Sequence, residues 1–271
     1  MKVVSAGLGG KQQIQGLPWR RPLGGHWISV LSIVLLLLFW QVVASRFFSP
    51  LFFPTPMIVA RRAVVMVMDG TIFGNIAVSL QRILAGFIIG SALGAPIGLL
   101  IGTYRRVKAF VDPYINFFRY VPSIAWLTPA IIWLGIGETS KVFIIVYTTI
   151  FIVTINAAIG VSNVSMNKVR AGRSLGANQA QVFFHVILPA TVPFILSGMR
   201  LAMGNSFTTV VAAEMIGADR GLGFLIWNSR IWMATDTIFL TIVVLGVLGF
   251  STDWLFRYMI KRFAHRYGPV E

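Results

Sequence analysis

The 271 residues carry a formal net charge of +15, yet only 11% of them are charged and 56% are hydrophobic. Soluble domains contain roughly 25% charged residues, so this composition excludes an ordinary soluble protein and predicts a membrane protein. The chain has no cysteine, which excludes disulfides and thiolate metal sites. Its excess of Lys and Arg is typical of the cytoplasmic loops of membrane proteins. Nucleic-acid binding is not indicated, because the sequence shows neither a basic helix nor an aromatic platform beside the positive charge.

The chain starts with a polar, glycine-rich segment, residues 1–27, which precedes the first apolar run, Ile28–Ala44. We expect a cytoplasmic tail followed by the first membrane span. The run also resembles a secretory signal peptide, but it is longer than the roughly 7–15 residues of a signal's apolar region. Since the rest of the chain is membrane-embedded as well, a retained span is the preferred interpretation.

Residues 49–81 differ from a membrane span. Three prolines in the string SPLFFPTP, Ser49–Pro56, prevent a continuous helix there. From Met57 to Arg82, charged side chains such as Asp69 are mixed with apolar ones. We therefore expect amphipathic helices that lie on the far membrane surface.

The second predicted span, Ile83–Thr103, has glycine at every fourth position from Gly86 to Gly102. Residues four apart lie on one side of a helix, and a side without side chains lets a neighbouring backbone approach closely. We expect this glycine stripe to pack against another span, with a kink at Pro96.

Four further apolar segments complete a bundle of six transmembrane helices: Pro113–Ile136, which Pro122 and Pro129 interrupt, Lys141–Val161, Phe194–Ile216 and Thr237–Phe256. Loops at 104–112, 137–140 and 217–236 are predicted to lie between spans. With both termini in the cytoplasm, most Lys and Arg side chains fall in cytoplasmic segments, in agreement with the positive-inside rule. The predicted fold is an all-α membrane protein with a six-span domain (28–256), a cytoplasmic hairpin within it (162–193), and a carboxyl-terminal cytoplasmic tail (257–271).

The segment between the fourth and fifth spans is predicted to form that helical hairpin. Lys168–Leu175 and Asn178–Ile187 can each form a short helix, and Gly176 with the alanine after it breaks the chain between them. Pro189 and Pro193 are predicted to end the second helix before the chain re-enters the membrane. A helical hairpin that projects from a bundle is suited to docking in a groove of another protein.

This hairpin resembles the EAA motif of ABC importer permeases, EAA-x3-G-x9-I-x-LP. Gly176, Leu188 and Pro189 match the motif. Arg170 stands in place of its acidic residue and Gly172 in place of its second alanine, so the role of that carboxylate does not carry over. The resemblance implies that a set of hairpin residues couples the chain to an ATPase: Arg170, Ala171, Gly172, Leu175, Gly176, Ala177, Val186, Leu188 and Pro189.

Within this family, the chain is most similar to permeases for taurine, aliphatic sulfonates and nitrate. The strings that carry the similarity are SPLFFPTP (49–56), WLGIGETSK (133–141), RSLGANQAQVFFHVILPA (173–190) and VVAAEMIGADRGLGFLI (210–226). The resemblance implies a type I ABC importer permease fold in a bacterial inner membrane. It also implies a small anion as the substrate, with taurine or another organic sulfonate first and nitrate or bicarbonate next.

The resemblance also implies partners, namely a second copy of this chain, a cytoplasmic ABC ATPase dimer and a periplasmic or surface substrate-binding protein. ATP and Mg²⁺ would be bound by the ATPase. The sequence itself lacks the phosphate-binding pattern G-x-x-x-x-G-K-[ST], because Gln12 follows Gly10-Lys11 and Ser5 occupies the first glycine position. We therefore expect no enzymatic activity and no bound cofactor in this chain.

Charged residues inside predicted spans usually face the bundle interior or a water-filled route. Arg119 in the third span could contact an anion or could only hold spans together. Arg200 and Asp253 are expected to snorkel or to pair near the cytoplasmic side. Glu214, near the outer end of the fifth span, would repel an anion, so it is expected to gate the path or to pair with an arginine.

The fifth span also carries more uncharged polar residues than a lipid-facing surface accepts: Asn205, Ser206, Thr208 and Thr209. Ser206 and Thr209 are three apart and share a face, so they are the preferred path residues. Asn205, Trp126, Arg119 and Glu214 complete the predicted translocation path. The alternative is that the hydroxyls bond back to carbonyls of their own helix.

Two other classes of protein stay open at this point. A secondary transporter or channel that works without ATP would show inverted halves or paired broken helices, and neither is evident in the sequence. A membrane scaffold subunit without transport activity is the second alternative. Co-purification of an ATPase would discriminate among the three classes. No paired carboxylates, nucleophile–base set or metal cluster indicates an enzyme.

Overall fold

The computed structural model describes residues 25–263, and every regular element in that range is helical. The helices are α1 (Gly25–Phe47), α2 (Pro56–Met68), α3 (Thr71–Thr103), α4 (Arg105–Phe118), α5 (Leu127–Leu134), α6 (Glu138–Ser162), α7 (Met166–Ser174), α8 (Gln179–Val182), α9 (Leu188–Gly217), α10 (Leu222–Ile231) and α11 (Thr235–Phe263). A 3₁₀ turn, Ser123–Trp126, precedes α5, and a π-helical turn, Phe183–Ile187, joins α8 to α9. Most of the predicted amino-terminal tail (1–24) and the last eight residues of the carboxyl-terminal one (264–271) lie outside the described residues.

Five stretches of helix are long and apolar enough to cross a membrane: α1, α3, α6, α9 with the turns before it, and α11. The six predicted crossings are reached if α4 and the 3₁₀ turn with α5 count as one, but these two parts are bent by 89°. The interruption that the sequence predicts at Pro122 is therefore present, whereas α5 runs on through Pro129. The backbone leaves the helix after Phe118, and Pro122, which has no N–H to donate to a helical carbonyl, is not helical (ψ 134°). The loop predicted at 104–112 is wrong, since it belongs to α4.

The glycine stripe of α3 packs directly on α6, as the sequence predicts. A Cβ atom on Gly86 would lie 2.5 Å from Cβ of Ile145, and one on Gly90 would lie 2.6 Å from Cβ of Thr149. Both distances are far shorter than a van der Waals contact, so any side chain at these positions would push the helices apart. The α3 helix runs on through Pro96.

The second span starts earlier than predicted. The sequence predicts Ile83 as its first residue, whereas α3 begins at Thr71, where Gly70 in a left-handed conformation (φ 75°) separates it from α2. The stretch 71–82 is therefore part of a membrane-crossing helix and not a surface helix. Ser79 and Arg82 within it are buried, because they bind polar groups of other helices.

The second arm of the hairpin does not end at its prolines. It is helical from 179 to 217, through the π-helical turn, in which the amide of Leu188 donates to the carbonyl of Phe183 five residues earlier. Pro189 follows the π-helical turn directly, and it has no N–H to donate to that turn. Pro193 lies inside α9, and the wide π turn before it gives the backbone local freedom to accommodate both rings.

Two further boundaries differ from the predictions. The segment 217–236, predicted as a loop, contains α10, and α11 continues past Phe256 into the predicted tail. Both differences extend helices at points where polar residues such as Arg230 and Arg257 lower the mean hydropathy. Hydropathy indicates which residues lie in the membrane and not which residues are helical. A span predicted from hydropathy can therefore end before the helix does.

α3, α6, α9 and α11 share one apolar core, which includes Phe87, Ile145, Phe207 and Phe256. Most side chains of α1 are exposed instead, as expected of a helix that faces lipid. α6 ends and α9 begins beside α7, and we call this side of the bundle the hairpin end. α9 ends and α11 begins on the opposite side, which we call the far end.

Candidate functional site

The hairpin between α6 and α9 turns sharply at Gly176. This residue has a left-handed backbone (φ 83°), and its amide donates to the carbonyl of Arg173 at 2.9 Å. The amide of Ala177 donates to the carbonyl of Gly172 at 3.1 Å, which satisfies one of the last carbonyls of α7. The break that the sequence predicts at Gly176 is therefore present, and it requires a residue that adopts positive φ without strain.

The start of α8 is fixed by a capping box. The side chain of Asn178 accepts a hydrogen bond from the amide of Gln181, and the side chain of Gln181 accepts one from the amide of Asn178. The arms of the hairpin enclose a groove of about 410 Å³, lined by Gly172, Leu175, Gly176, Ala177, Gln181, Val182, His185 and Val186. Caps at both sides of the turn give the hairpin a defined shape without support from the bundle.

The predicted coupling residues divide into two groups. Those that line the groove are Gly172, Leu175, Gly176, Ala177 and Val186. Arg170 and Ala171 are exposed on α7, and Leu188 and Pro189 are half-buried at the start of α9. The side chain of Leu175 is 88% exposed. A coupling role for these residues stays a prediction.

At the far end, Glu214 of α9 has no exposed surface. Its carboxylate accepts hydrogen bonds from Ser79 Oγ at 2.8 Å, from Arg82 Nη1 at 2.7 Å and from the amide of Gly223 at 2.8 Å. A buried carboxylate is tolerated only when it is paired and hydrogen-bonded. The pairing with an arginine that the sequence predicts for Glu214 is present, whereas a role in the path stays a prediction.

Arg82 extends this contact to the protein surface. Its Nε and Nη2 atoms donate to the two carboxylate oxygens of Glu138 at 2.5 and 2.6 Å, and Nη1 also donates to the carbonyl of Arg220 at 2.7 Å. Lys141 Nζ lies 3.3 Å from the same carboxylate. Since the Glu138 side chain is 61% exposed, the charges alternate in sign from the surface to the buried Glu214. We call these residues, with Ser79, the far-end network.

The turn between α9 and α10 is bound by the same region. The amide of Gly221 donates to Asn75 Oδ1 at 2.7 Å, and the amide of Leu222 donates to Ser79 Oγ at 2.8 Å. Gly221 has φ 122°, and a Cβ atom there would overlap the carboxylate of Glu214. Glycine is therefore required at this position both by conformation and by space.

The sequence prediction misses Arg82 and Glu138 as candidates. Arg82 was assigned to a surface helix and Glu138 to a tight turn, although an arginine directly before a long apolar run was a usable signal. Within residues 25–263, no three His, Cys, Asp or Glu side chains are grouped so as to hold a metal ion.

Arg119 lies at the bend after α4 and borders a cavity of about 470 Å³. Other residues that line it include Tyr120, Tyr147, Thr148, Phe151 and Asn205. The Arg119 side chain donates to the hydroxyl of Tyr120 at 2.7 Å, and its guanidinium carbon lies 4.6 Å from the ring centroid. In the described part of the chain it forms no ion pair. The structure thus brings Arg119 and Asn205 together at one cavity.

The preferred path residues, Ser206 and Thr209, lie elsewhere. Ser206 is fully buried, donates to the carbonyl of Ala202 at 2.9 Å and lies 3.4 Å from Thr149 Oγ1 of α6. The Thr209 hydroxyl lies 3.3 Å from the hydroxyl of Thr148, which is also on α6. Both side chains therefore pack against α6, and the own-helix hydrogen bond that the sequence left as the alternative is present for Ser206.

The exposed polar residues of α9 are Asn205 and Thr208. They lie on the same side of the helix as Leu201 and Gly204, which are also exposed, and a Cβ atom on Gly204 would meet nothing within 4 Å. We call this side of α9 the open face. The exposed polar pair of α9 is therefore 205/208, one residue before the predicted pair 206/209. The two pairs have the same helical spacing, so spacing alone does not distinguish them.

Trp126, predicted as a partner or gate, stands behind the Arg119 cavity and does not line it. Its ring is 5.7 Å from that of Tyr147 and 6.1 Å from that of Phe118, centroid to centroid. Tyr147 itself faces the cavity and donates to the carbonyl of Phe118 at 2.6 Å. Trp126 therefore supports the cavity wall.

The pairing expected for Arg200 and Asp253 is present between α9 and α11. Arg200 Nε lies 2.6 Å from Asp253 Oδ1, and Arg200 Nη2 lies 3.2 Å from Oδ2. Arg257, one turn further along α11, also binds Asp253 Oδ2 at 2.6 Å. One carboxylate is thus shared by two guanidinium groups.

A bundle of membrane-crossing helices with an exposed interhelical hairpin, and with an arginine at a cavity, defines a membrane transport subunit. Residues 94–265 match the family described as binding-protein-dependent transport system inner membrane component, and the chain belongs to this family. It is accordingly a permease subunit of an ABC importer, a multi-pass protein of a bacterial inner membrane, and not itself an enzyme.

Two relatives and one solved structure give the degree of similarity. The chain is 38% identical over 265 residues to the taurine transport system permease protein TauC of Escherichia coli, covering 94% of this chain and 95% of that protein. It is 31% identical over 267 residues to the permease protein SsuC of Bacillus subtilis, named for aliphatic sulfonates transport, covering 97% and 96%. An inward-facing methionine ABC transporter, MetNI, matches with a TM-score of 0.62 and 17% identity, covering 74% of this chain and 98% of that one. The last likeness confirms the permease fold.

Proposed function

We propose that this chain forms the membrane path of an ATP-driven importer for a small anion, most simply taurine or another organic sulfonate. The observation that carries the proposal is the Arg119 cavity, which is lined by a guanidinium without an ion-pair partner among residues 25–263 and by the side-chain amide of Asn205. A guanidinium with neutral donors suits an oxyanion such as a sulfonate. The names of the two relatives support a sulfonate.

The hairpin would couple the chain to a separate ATPase that binds ATP and Mg²⁺. α7 carries Lys168, Arg170 and Arg173 and no acidic residue, and the exposed Leu175 follows it. Charge complementarity sets which partners dock. We therefore expect an acidic groove with an apolar pocket on the ATPase. In this arrangement the hairpin end and both termini lie in the cytoplasm, and the far end faces an external binding protein.

The importer would contain two copies of this chain. The open face of α9 exposes Asn205 and Thr208 in a membrane-crossing helix, where polar side chains usually face a water-filled route or another helix. Two such faces opposite each other would enclose a polar passage that continues from the Arg119 cavity. This arrangement supports a homodimer without any additional subunit in the membrane.

Uptake of radiolabelled taurine into proteoliposomes tests the proposal. The vesicles contain this chain with its co-expressed ATPase, and the binding protein is added outside. We expect uptake that requires ATP and that butanesulfonate suppresses more strongly than nitrate or bicarbonate. Suppression by nitrate alone would overturn the substrate assignment. Uptake driven by an ion gradient without ATP would identify a secondary transporter.

The hairpin assignment has its own test. Arg170→Glu reverses a charge on the exposed surface of α7, so we expect it to reduce ATPase co-purification about tenfold. Arg106→Glu changes an equally exposed arginine on α4 and should leave co-purification intact. Equal amounts of ATPase with both variants would contradict docking through the hairpin.

A further inference from the structure

A second and larger cavity lies between α9 and α11. Its volume is about 790 Å³, and its polar lining consists of Ser197, Arg200, Asn205, Asp253, Arg257 and Lys261. The α11 residues of this lining lie toward the hairpin end, since Lys261 is two residues before the end of α11. None of the roles discussed so far uses the cations of this lining.

The charges around this cavity do not balance. Both carboxylate oxygens of Asp253 are engaged, one by Arg200 and the other by Arg200 and Arg257. Lys261 forms no ion pair within residues 25–263. Three cations and a single carboxylate leave two positive charges in excess. Arg257 and Lys261 lie where α11 extends past the last predicted span, and a cleft lined by charge of one sign attracts ions of the opposite sign.

The cavity shares one lining residue with the Arg119 cavity. Asn205 lines both of them, from the open face of α9. An anion that leaves Arg119 along this face would therefore pass Asn205 and then meet the cationic lining of the second cavity. The side chains of Arg200 and Arg257 are 40% and 47% exposed, so their free nitrogen atoms can reach a ligand.

We propose that the cavity between α9 and α11 is a second anion site, which binds a tetrahedral oxyanion through Arg257 and Lys261 with Arg200 and Ser197 beside them. Guanidinium and ammonium groups both form charge-assisted hydrogen bonds with sulfonate and phosphate oxygens. Two sources share this chemistry: the transported anion on its way out, and the phosphate of an anionic lipid, which basic pockets between membrane helices also bind. The first source rests on the proposed function, whereas the second does not.

Binding of radiolabelled inorganic sulfate to the purified full-length chain tests the site without ATP or ATPase. The chain is placed in nanodiscs of phosphatidylcholine and, separately, of phosphatidylcholine with phosphatidylglycerol. Lys261→Gln is the first variant, because it breaks no ion pair of the described structure and should fold normally. Since a hydrogen bond to a charged group is worth about tenfold or more in affinity, we expect Lys261→Gln and Arg257→Gln each to weaken sulfate binding by at least that factor. Arg262→Gln, a neighbouring cation that does not line the cavity, should bind like the unmodified chain.

The lipid composition distinguishes the two sources. Equal sulfate binding in both nanodiscs, with slower taurine uptake by Lys261→Gln, shows that the transported anion binds at this site during transport. Loss of sulfate binding in the presence of phosphatidylglycerol identifies a lipid site. Normal sulfate binding without taurine uptake would sink the proposed function and leave the site in place. Sulfate binding that is unchanged by Lys261→Gln and Arg257→Gln in either nanodisc would overturn the site.

Discussion

Arg82 and Glu214 form a buried ion pair that joins α3 to α9 at the far end of the bundle. The two residues are 132 positions apart, the distance from Arg82 Nη1 to Glu214 Oε1 is 2.7 Å, and their side chains are 3% and 0% exposed. Since Glu214 also accepts from the amide of Gly223, the pair fixes the start of α10 as well. Removal of either charge would leave the other one unpaired or underpaired in a buried site.

Glu214→Gln should lower the stability of the protein much more than Glu138→Gln. Breaking a buried ion pair by removal of one partner costs about 3–5 kcal/mol, whereas an exposed pair contributes about 1 kcal/mol or less. Glu138 is 61% exposed, and Arg82 keeps Glu214 when Glu138 is changed. Thermal unfolding of both purified variants in the same detergent measures the difference. Equal losses would show that the buried pair is not the dominant contact of the far-end network.

Gly221→Ala should be more destabilising than Gly70→Ala. Both glycines have positive φ, and a Cβ atom on Gly70 would meet nothing within 4 Å. Gly70→Ala therefore reports backbone strain alone, about 1–2 kcal/mol. Gly221 (φ 122°, ψ 169°) lies in a backbone region that is essentially restricted to glycine, so its strain is at least as large, and Gly221→Ala must also displace the carboxylate of Glu214. Melting temperatures that fall by the same amount for both variants would show that α10 moves to make room.

Large side chains on the two faces of α9 should have different effects on uptake and on melting temperature. Asn205→Trp and Thr208→Trp place the new ring on the open face, so we expect taurine uptake to fall about tenfold or more with an unchanged melting temperature. Ser206→Trp places the ring between α9 and α6, where overpacking costs about 1–3 kcal/mol or more. Uptake and melting temperature are measured on the same preparations. A stable Ser206→Trp protein with blocked uptake would instead favour the face predicted from the sequence.

A single cysteine in this cysteine-free chain tests the orientation in the membrane. Ala180→Cys lies on the exposed hairpin, and Asp219→Cys lies on the exposed turn before α10. A membrane-impermeant maleimide added to intact cells that retain only their inner membrane should label position 219 and not position 180. The pattern should reverse in inverted vesicles. Labelling of position 180 from outside would overturn the proposed orientation.

Several features of this protein follow from the sequence because they depend on local composition. Apolar runs identify the membrane-crossing helices, since every buried backbone group in a lipid phase must be bonded within its own helix. The four-residue spacing from Gly86 to Gly102 predicts a packing surface, and the pattern around Gly176 predicts the break of the hairpin, because both are properties of one segment. The likeness to importer permeases rests on the same segments.

Only the tertiary structure decided which residues meet. Helical spacing allows either 205/208 or 206/209 to face a path, and the choice depends on where α6 packs against α9. The pairing of Arg82 with Glu214 joins helices distant in sequence, so no local pattern reports it. The 89° bend at Arg119–Pro122 and the helix that continues through Pro189 depend on the neighbours that satisfy the backbone at each proline. In each case the sequence allows several local solutions, and contacts between helices select one of them.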